Sequence, residues 1–196
     1  MAIAAANAEV DKIGGTVLEW IQKMHAHSAA VAVRKQVDRD PDSVSMRGLL
    51  EVIAPSANLI AREEYLARAK SDRDPATDLG RLELEDRQQI LGERFDNLAG
   101  VGAAHLTDAA VRADLTRLDV AAAQVRDFVR KTIAHRDRKW TVTPPTWAEL
   151  NAAIDILEQL VRRYNELLDA SHAPQLVPTY QYDWKAVFRI PWIDEK

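Results

Sequence analysis

The longest regular pattern in the chain covers residues 107–132, which read TDAAVRADLTRLDVAAAQVRDFVRKT. Apolar side chains recur there in steps of four and three residues, which places them on one face of an α-helix. Thr107 is predicted to cap the helix start, because its hydroxyl can accept a hydrogen bond from a free backbone N–H. We expect this helix to end near residues 135–139. Its stripe consists of Val111, Leu115, Leu118, Ala122, Val125, Val129 and Thr132.

A second amphipathic helix is predicted after a short turn that contains Pro144 and Pro145. Thr146 and Glu149 form a capping box, in which each side chain can accept a hydrogen bond from the other residue's backbone N–H. Two long amphipathic helices joined by a short turn predict an antiparallel hairpin, the usual core of a helical bundle. The second stripe consists of Trp147, Leu150, Ile154, Leu157, Val161, Tyr164 and Leu168.

Further helices are predicted before this hairpin. The first covers residues 8–37, with an apolar stripe on one face, and a turn over 38–45 follows it. Ser43 or Ser45 is expected to cap a short helix that contains Met46, Leu49, Leu50 and Ile53. The stripe of the first helix consists of Val10, Ile13, Val17, Trp20, Ile21 and Met24.

The middle of the chain is predicted to hold two more helices. Pro55 opens one that continues to about Lys70, since proline suits the first helical turn. Polar residues with proline and glycine predict a loop over 71–80, and a helix over 82–98 is expected to end at Gly100 or Gly102. The sequence therefore predicts an all-α antiparallel bundle of four to five main helices over residues 1–172.

The C-terminal segment 173–196 differs in composition from the rest. It holds five of the twelve aromatic residues, and some of them alternate with polar residues, which predicts an extended arm. The arm can cross the protein's own bundle, pack on a partner subunit, or stack against nucleic-acid bases. The aromatic residues are Tyr180, Tyr182, Trp184, Phe188 and Trp192.

Composition excludes several classes of protein. The chain has 196 residues, of which 47% are hydrophobic and 29% are charged, which is typical of a globular domain rather than a disordered one. No apolar run approaches the roughly 20 residues that span a bilayer, and residues 1–15 do not resemble a secretory signal. The absence of cysteine excludes disulfides, thiolate nucleophiles and cysteine-ligated metals. A cytoplasmic protein without membrane partners is expected.

Positive charge is concentrated in one segment, although the formal net charge of the chain is -4. Residues 126–139 hold six basic and two acidic residues, a local charge of +4. A positive site on an acidic body is suited to phosphate binding, but cations are also favoured at the C-terminal end of any helix. The basic residues are Arg126, Arg130, Lys131, Arg136, Arg138 and Lys139.

The common catalytic and metal motifs are absent. His25 and His27 diverge by about 200° on a helix and cannot share a metal ion on one face. Gly100 and Gly102 lack the third glycine and the preceding strand of a nucleotide-binding loop, and no nucleophile elbow occurs. The sequence therefore predicts no metal and no cofactor.

Arg130 and His135 form an R-x4-H pattern whose chemistry suits cleavage of RNA. The histidine can take a proton from a ribose 2′-hydroxyl or give one to the leaving 5′-oxygen. The guanidinium can hold the phosphate with two hydrogen bonds and stabilise its charge. On a straight α-helix the two side chains lie about 140° apart, so they converge only if the helix frays or a second subunit contributes. Their basic neighbours Arg126, Lys131, Arg136, Arg138 and Lys139 are expected to follow the RNA backbone.

This segment, RKTIAHRD, together with the helix after it, resembles the HEPN superfamily, most closely the abortive-infection, AbiU-type branch. A looser likeness lies in residues 32–50, AVRKQVDRDPDSVSMRGLL. The resemblance implies a homodimeric helical bundle that acts as a metal-independent endoribonuclease in phage defence or as a toxin under an antitoxin. It assigns Arg130 and His135 as catalytic residues.

The sequence departs from the family pattern at two positions. Lys131 stands where a small polar residue often follows the arginine, which leaves open a catalytically inactive module that binds RNA or a protein partner. Asp137 occupies the position of a tyrosine that an antitoxin modifies in one variant of the motif. We therefore do not expect that modification here.

Overall fold

The computed structural model describes residues 16–134 and 143–169, which form an all-α bundle. Contacts group the described residues into two units, one over 16–29 and one over the remainder. The elements are α1 (Thr16–Gln36), α2 (Met46–Ile53), a 3-10 helix (Ala54–Leu59), α3 (Arg62–Leu66), α4 (Asp78–Ala99), α5 (Asp108–Phe128) and α6 (Trp147–Asp169). A π-helical turn, Val129–Ala134, continues α5.

Helices α5 and α6 form the predicted antiparallel hairpin at the centre of the core. The hydroxyl of Tyr164 donates to Asp114 Oδ2 at 3.1 Å, and Arg117 Nη2 donates to Gln159 Oε1 at 3.0 Å. The residue numbers of the hydrogen-bonded partners increase along α5 while they decrease along α6, so the two helices are antiparallel. The six apolar members of the α5 stripe, from Val111 to Val129, are all buried.

The buried face of α6 is rotated slightly from the predicted one, so some of its buried residues differ from the predicted stripe. Trp147 and Leu168, at its two ends, are each half exposed. Residues on the adjoining line are buried instead, and they keep the spacing of three and four residues expected of a packed helix face. The buried residues are Leu150, Ala153, Leu157, Leu160, Tyr164 and Leu167.

Side chains cap the helix starts as the sequence predicts. Ser45 accepts a hydrogen bond from Gly48 N at 3.0 Å, and Thr107 accepts one from Ala110 N at 3.2 Å. At α6, Glu149 N donates to Thr146 Oγ1 at 3.2 Å, and Thr146 N donates to Glu149 Oε2 at 2.7 Å. The capping box and the other two caps are confirmed.

The prediction of one helix from Pro55 to about Lys70 is wrong. The chain turns through a 3-10 helix, is extended at Ala61, and restarts as the short α3. Backbone pairing with a distant segment causes the break, because Arg62 N donates to Ala104 O at 2.9 Å and Leu106 N donates to Ile60 O at 3.1 Å. These hydrogen bonds replace the helical ones in this segment.

Local residues determine where α4 begins and ends. It begins before the predicted residue 82, because Thr77 accepts a hydrogen bond from Gly80 N at 3.1 Å. A Cβ at Gly80 would lie 2.0 Å from Asp74 O, so the turn before α4 closes only over glycine. The helix ends at Gly100, whose φ of 101° favours glycine.

Four predictions about the fold fall partly or wholly outside the described residues: the first half of the stripe in the first helix, the helix end near residues 135–139, the domain boundary at 172–173, and the aromatic arm. Within α1, Trp20 and Met24 are exposed. None of the helices in the described ranges is both long and apolar enough to cross a membrane.

Candidate functional site

The R-x4-H segment begins where α5 changes its helical form. The α-helix ends at Phe128, and Val129–Ala134 form a π-helical turn whose hydrogen bonds join residues five apart. Residues five apart diverge by about 140° on an α-helix; i→i+5 hydrogen bonding widens the turn and makes that divergence smaller. Such turns are rare and are often found at functional sites.

Arg130 lies on this widened turn with 60% of its side chain exposed. Its described ion-pair partner is Asp127, whose Oδ1 is 3.5 Å from Arg130 Nη2. A contact of this length is weak, and an exposed pair adds little stability. The guanidinium can therefore turn to another anion at small energetic cost.

A pocket of about 360 Å³ adjoins Arg130. Two separate chain segments line it: the end of α1 with the loop after it, and the last turn of α5 with the π-helical turn. Four guanidinium groups face two carboxylates in this space, an excess of two positive charges. The lining residues are Arg34, Val37, Asp38, Arg39, Arg126, Asp127 and Arg130.

Buried apolar residues hold the end of α1 in place. Val33 and Val37 are 2% and 1% exposed, so this end of the helix is packed into the core. Arg34 Nη1 lies 2.7 Å from Asp38 Oδ2. The hydrogen bond from Arg34, with one from the backbone of Asp40, holds the pKa of Asp38 below its ordinary value. Asp38 therefore remains an anion and fixes Arg34 at the pocket wall.

Asp119 on α5 links three arginines beside the pocket. Both of its carboxylate oxygens accept from Arg47 Nη1 at 2.6 Å. Its contacts with Arg126 at 3.5 Å and Arg39 at 3.7 Å are longer. Arg47 is thus the primary partner of this carboxylate, and the other two arginines retain donors for a further anion.

The structure brings two of the predicted site residues together and leaves others untested. Arg126 and Arg130 line the same pocket, and Lys131 is half-buried on the π-helical turn. The predicted catalytic residue His135 lies outside the described residues. So do the predicted RNA contacts Arg136, Arg138 and Lys139.

Arg34, Arg39 and Asp119 were not predicted as site residues. No local pattern marks them, because the pocket is formed by two segments that are far apart in the sequence. The available signal was the likeness of residues 32–50 to the AbiU-type branch, since that segment contains both Arg34 and Arg39.

The sequence matches a known protein family. The family model HEPN_AbiU2, described as AbiU2, matches residues 8–187. The chain belongs to the AbiU2 family of HEPN proteins. The AbiU2 match includes both segments that line the pocket, as well as the R-x4-H motif. No curated protein and no solved structure matches the chain.

Proposed function

We propose that this AbiU2-family protein is a metal-independent endoribonuclease that acts in phage defence or as a toxin. The observation that carries the proposal is the position of Arg130. It is exposed on a π-helical turn, loosely paired, and next to a pocket with excess positive charge. An arginine in that setting suits a phosphate of a single strand better than it suits a structural ion pair.

In the proposed reaction, the RNA supplies its own nucleophile. The ribose 2′-oxygen attacks the adjacent phosphorus, its proton passes to a base, and the bond from phosphorus to the 5′-oxygen breaks. The 5′-oxygen takes up a proton, so the products are a 2′,3′-cyclic phosphate and a 5′-hydroxyl. His135 is proposed as the acid or base, since an imidazole can serve in either role near neutral pH. Arg130 is proposed to stabilise the charge on the phosphate oxygens.

The π-helical turn offers a route by which these two residues cooperate. On a straight α-helix the side chains of Arg130 and His135 point in different directions. They can meet at one phosphate only if the helix frays between them or a second subunit contributes. The described π-helical turn ends at Ala134, directly before His135, and on a turn with i→i+5 hydrogen bonds residues five apart diverge by less than on an α-helix. We propose that this widening contributes to the alignment of Arg130 and His135.

We further propose that the protein acts as a homodimer that binds RNA with the basic segment. Two copies related by a two-fold axis would bring two R-x4-H segments into one cleft. A partner antitoxin or regulatory protein would restrain the toxin form. The proposed contacts to the RNA backbone are Arg126, Lys131, Arg136, Arg138 and Lys139.

A second function is favoured by one residue. Lys131 follows Arg130 where a small polar residue is frequent in the family, and its positive charge suits phosphate binding. The alternative is a catalytically inactive module that binds RNA or a protein partner. It predicts salt-sensitive binding without turnover.

Cleavage of a single-stranded RNA by the purified protein, with and without EDTA, separates the two functions. The endoribonuclease yields cyclic-phosphate ends in both conditions, and His135→Ala lowers the rate by about 10²–10⁴ while circular dichroism stays unchanged. The exposed Arg112→Ala variant, on the same helix but outside the pocket, is the matched control. RNA that remains intact with wild-type protein contradicts the nuclease and favours the binding module.

A further inference from the structure

We infer that the pocket beside Arg130 is a phosphate-binding subsite for the RNA strand, with Arg39 as its binding residue and Arg34 in its wall. This inference rests on the proposed function, because it takes the ligand to be the RNA that Arg130 contacts. It adds a subsite that the R-x4-H motif does not contain. The residues come from α1 and its following loop, more than 90 positions before the motif.

The chemistry of the lining favours an anion with several acceptor oxygens. Guanidinium groups present planar sets of N–H donors that match phosphate oxygens in geometry as well as charge. Four of them surround this pocket, against the carboxylates of Asp38 and Asp127. A volume of about 360 Å³ falls at the small end of the range for ligand clefts.

The donors in this pocket are only partly used by the protein. Arg39 is 65% exposed, and its nearest described carboxylate oxygen is 3.7 Å away, on Asp119. That carboxylate is already held by Arg47 at 2.6 Å. Arg130 has a similar 3.5 Å contact with Asp127. Arg34 differs, because its 2.7 Å pair with Asp38 fixes it as a wall of the pocket.

The position of Arg130 argues for a polymer rather than a free anion. The same guanidinium lines the pocket and is proposed to hold the phosphate at the cleavage site. A phosphate in the pocket would therefore be a close neighbour of the reacting one, as successive phosphates of one strand are. The ligand we infer is the backbone of single-stranded RNA, on one side of the cleavage site.

Fluorescence anisotropy of a labelled single-stranded RNA oligonucleotide, with His135→Ala as the background, tests the subsite without cleavage. Arg39→Gln is expected to weaken binding about tenfold. It should also reduce the slope of log K against log salt by about 0.7, the value for one lost single-strand phosphate contact. The control is Arg112→Gln, which removes one charge from an arginine that is 62% exposed. Equal weakening by both variants overturns the subsite.

The opposite change supplies a second test. Asp127→Asn removes a carboxylate from the pocket and releases Arg130, so RNA should bind more tightly. Asp155→Asn on α6 removes an equally negative, exposed carboxylate outside the pocket and is the control. Tightening of the same size in both variants shows only a bulk charge effect and overturns the subsite.

Competition distinguishes a strand from a small anion. Inorganic phosphate or adenosine monophosphate should displace the RNA only at concentrations far above those of an unlabelled oligonucleotide. Displacement by the small anions at the oligonucleotide's own concentration overturns the inference of a polymer subsite. The nuclease proposal is contradicted separately, if wild-type protein does not cleave RNA. In that case the difference in anisotropy between Arg39→Gln and Arg112→Gln still decides whether the subsite exists.

Discussion

Two clusters of arginine and aspartate, one around Asp114 and one around the pocket beside Arg130, differ in how their charges are satisfied. Asp114, whose side chain is 4% exposed, accepts from the Tyr164 hydroxyl and from Arg117 Nη1, both at 3.1 Å. Arg163 adds an Nε 3.4 Å away and donates Nη2 to Leu98 O at 2.5 Å. In the pocket, Arg39 and Arg130 are more than half exposed, and their carboxylates are 3.5 to 3.7 Å away.

The comparison shows that residue type alone does not mark a binding site. A buried carboxylate with several hydrogen-bond partners is part of the folding energy, because losing those partners leaves its charge buried without water or protein donors. Exposed guanidiniums with long contacts contribute little to folding and keep donors for an external anion. By this criterion Asp114 is structural, and the pocket around Arg130 is the functional candidate.

The largest effect on stability is expected from Asp114→Ala. It removes the acceptor of Tyr164 and leaves Arg163 close to a cavity in the core. We expect the free energy of unfolding to fall by about 3 kcal/mol, as for other buried pairs that lose one partner. Urea denaturation followed by circular dichroism measures the change. A loss below about 1 kcal/mol would mean that the buried cluster is not a structural one.

A smaller loss is expected from Tyr164→Phe, which deletes only the hydroxyl. The ring, 1% exposed, stays packed between α5 and α6. The cost is that of one hydrogen bond to a charged group, about 1.5–3 kcal/mol. The same denaturation experiment checks it, with Tyr65→Phe as a comparison, because Tyr65 donates to the neutral backbone Glu166 O at 3.2 Å. A greater loss in Tyr65→Phe would contradict the greater weight given to the charged acceptor.

The stability that the Asp114 cluster contributes should depend on pH in alkaline solution. Burial, reinforced by the neighbouring Asp114, raises the pKa of Tyr164 far above its ordinary value. The folded protein therefore keeps this phenol neutral, while the unfolded chain releases the proton near pH 10. The contribution of Tyr164 to stability is fully present below pH 10 and declines as the pH rises above it.

The measurement is the free energy of unfolding of wild type and Tyr164→Phe between pH 8 and pH 11. The wild type should lose stability more steeply above pH 10 than the variant. Burial also raises the pKa of Tyr65, so some decline remains in Tyr164→Phe. Parallel curves for the two proteins would contradict the buried environment described for Tyr164.

The smallest effect on stability is expected from Asp127→Ala in the pocket. Its carboxylate is 47% exposed, and its described contacts with arginines are 3.5 Å or longer. The free energy of unfolding should change by less than about 0.5 kcal/mol, which is typical of surface substitutions. A loss as large as that of Asp114→Ala would remove the distinction between the two clusters.

Much of the fold could be predicted because it depends on local patterns. The caps at Ser45, Thr107 and Thr146 need only a side chain and the next turn of backbone. The α5 stripe is likewise contained in one helix. The break at Ala61 could not be predicted in this way, because it depends on backbone pairing with Ala104, more than 40 residues away.

Parts of the candidate site could likewise be predicted from local sequence, and other parts could not. Arg130 and the basic segment are visible as a motif in a continuous sequence. The π-helical turn is not, since residues 129–134 contain neither proline nor glycine to mark a change in helical form. Arg34 and Arg39 reach the pocket through tertiary packing alone, so their charge by itself gave no reason to select them.

The role of Arg130 is tested by kcat/KM for cleavage of one single-stranded RNA by three proteins: wild type, Arg130→Ala and Arg117→Ala. Arg130 lies in the pocket, whereas Arg117 belongs to the Asp114 cluster and is 46% exposed. We expect a loss of at least about 100-fold for Arg130→Ala, the size seen when one charge-stabilising donor is removed, and little change for Arg117→Ala. Equal activity of Arg130→Ala and wild type would contradict this role.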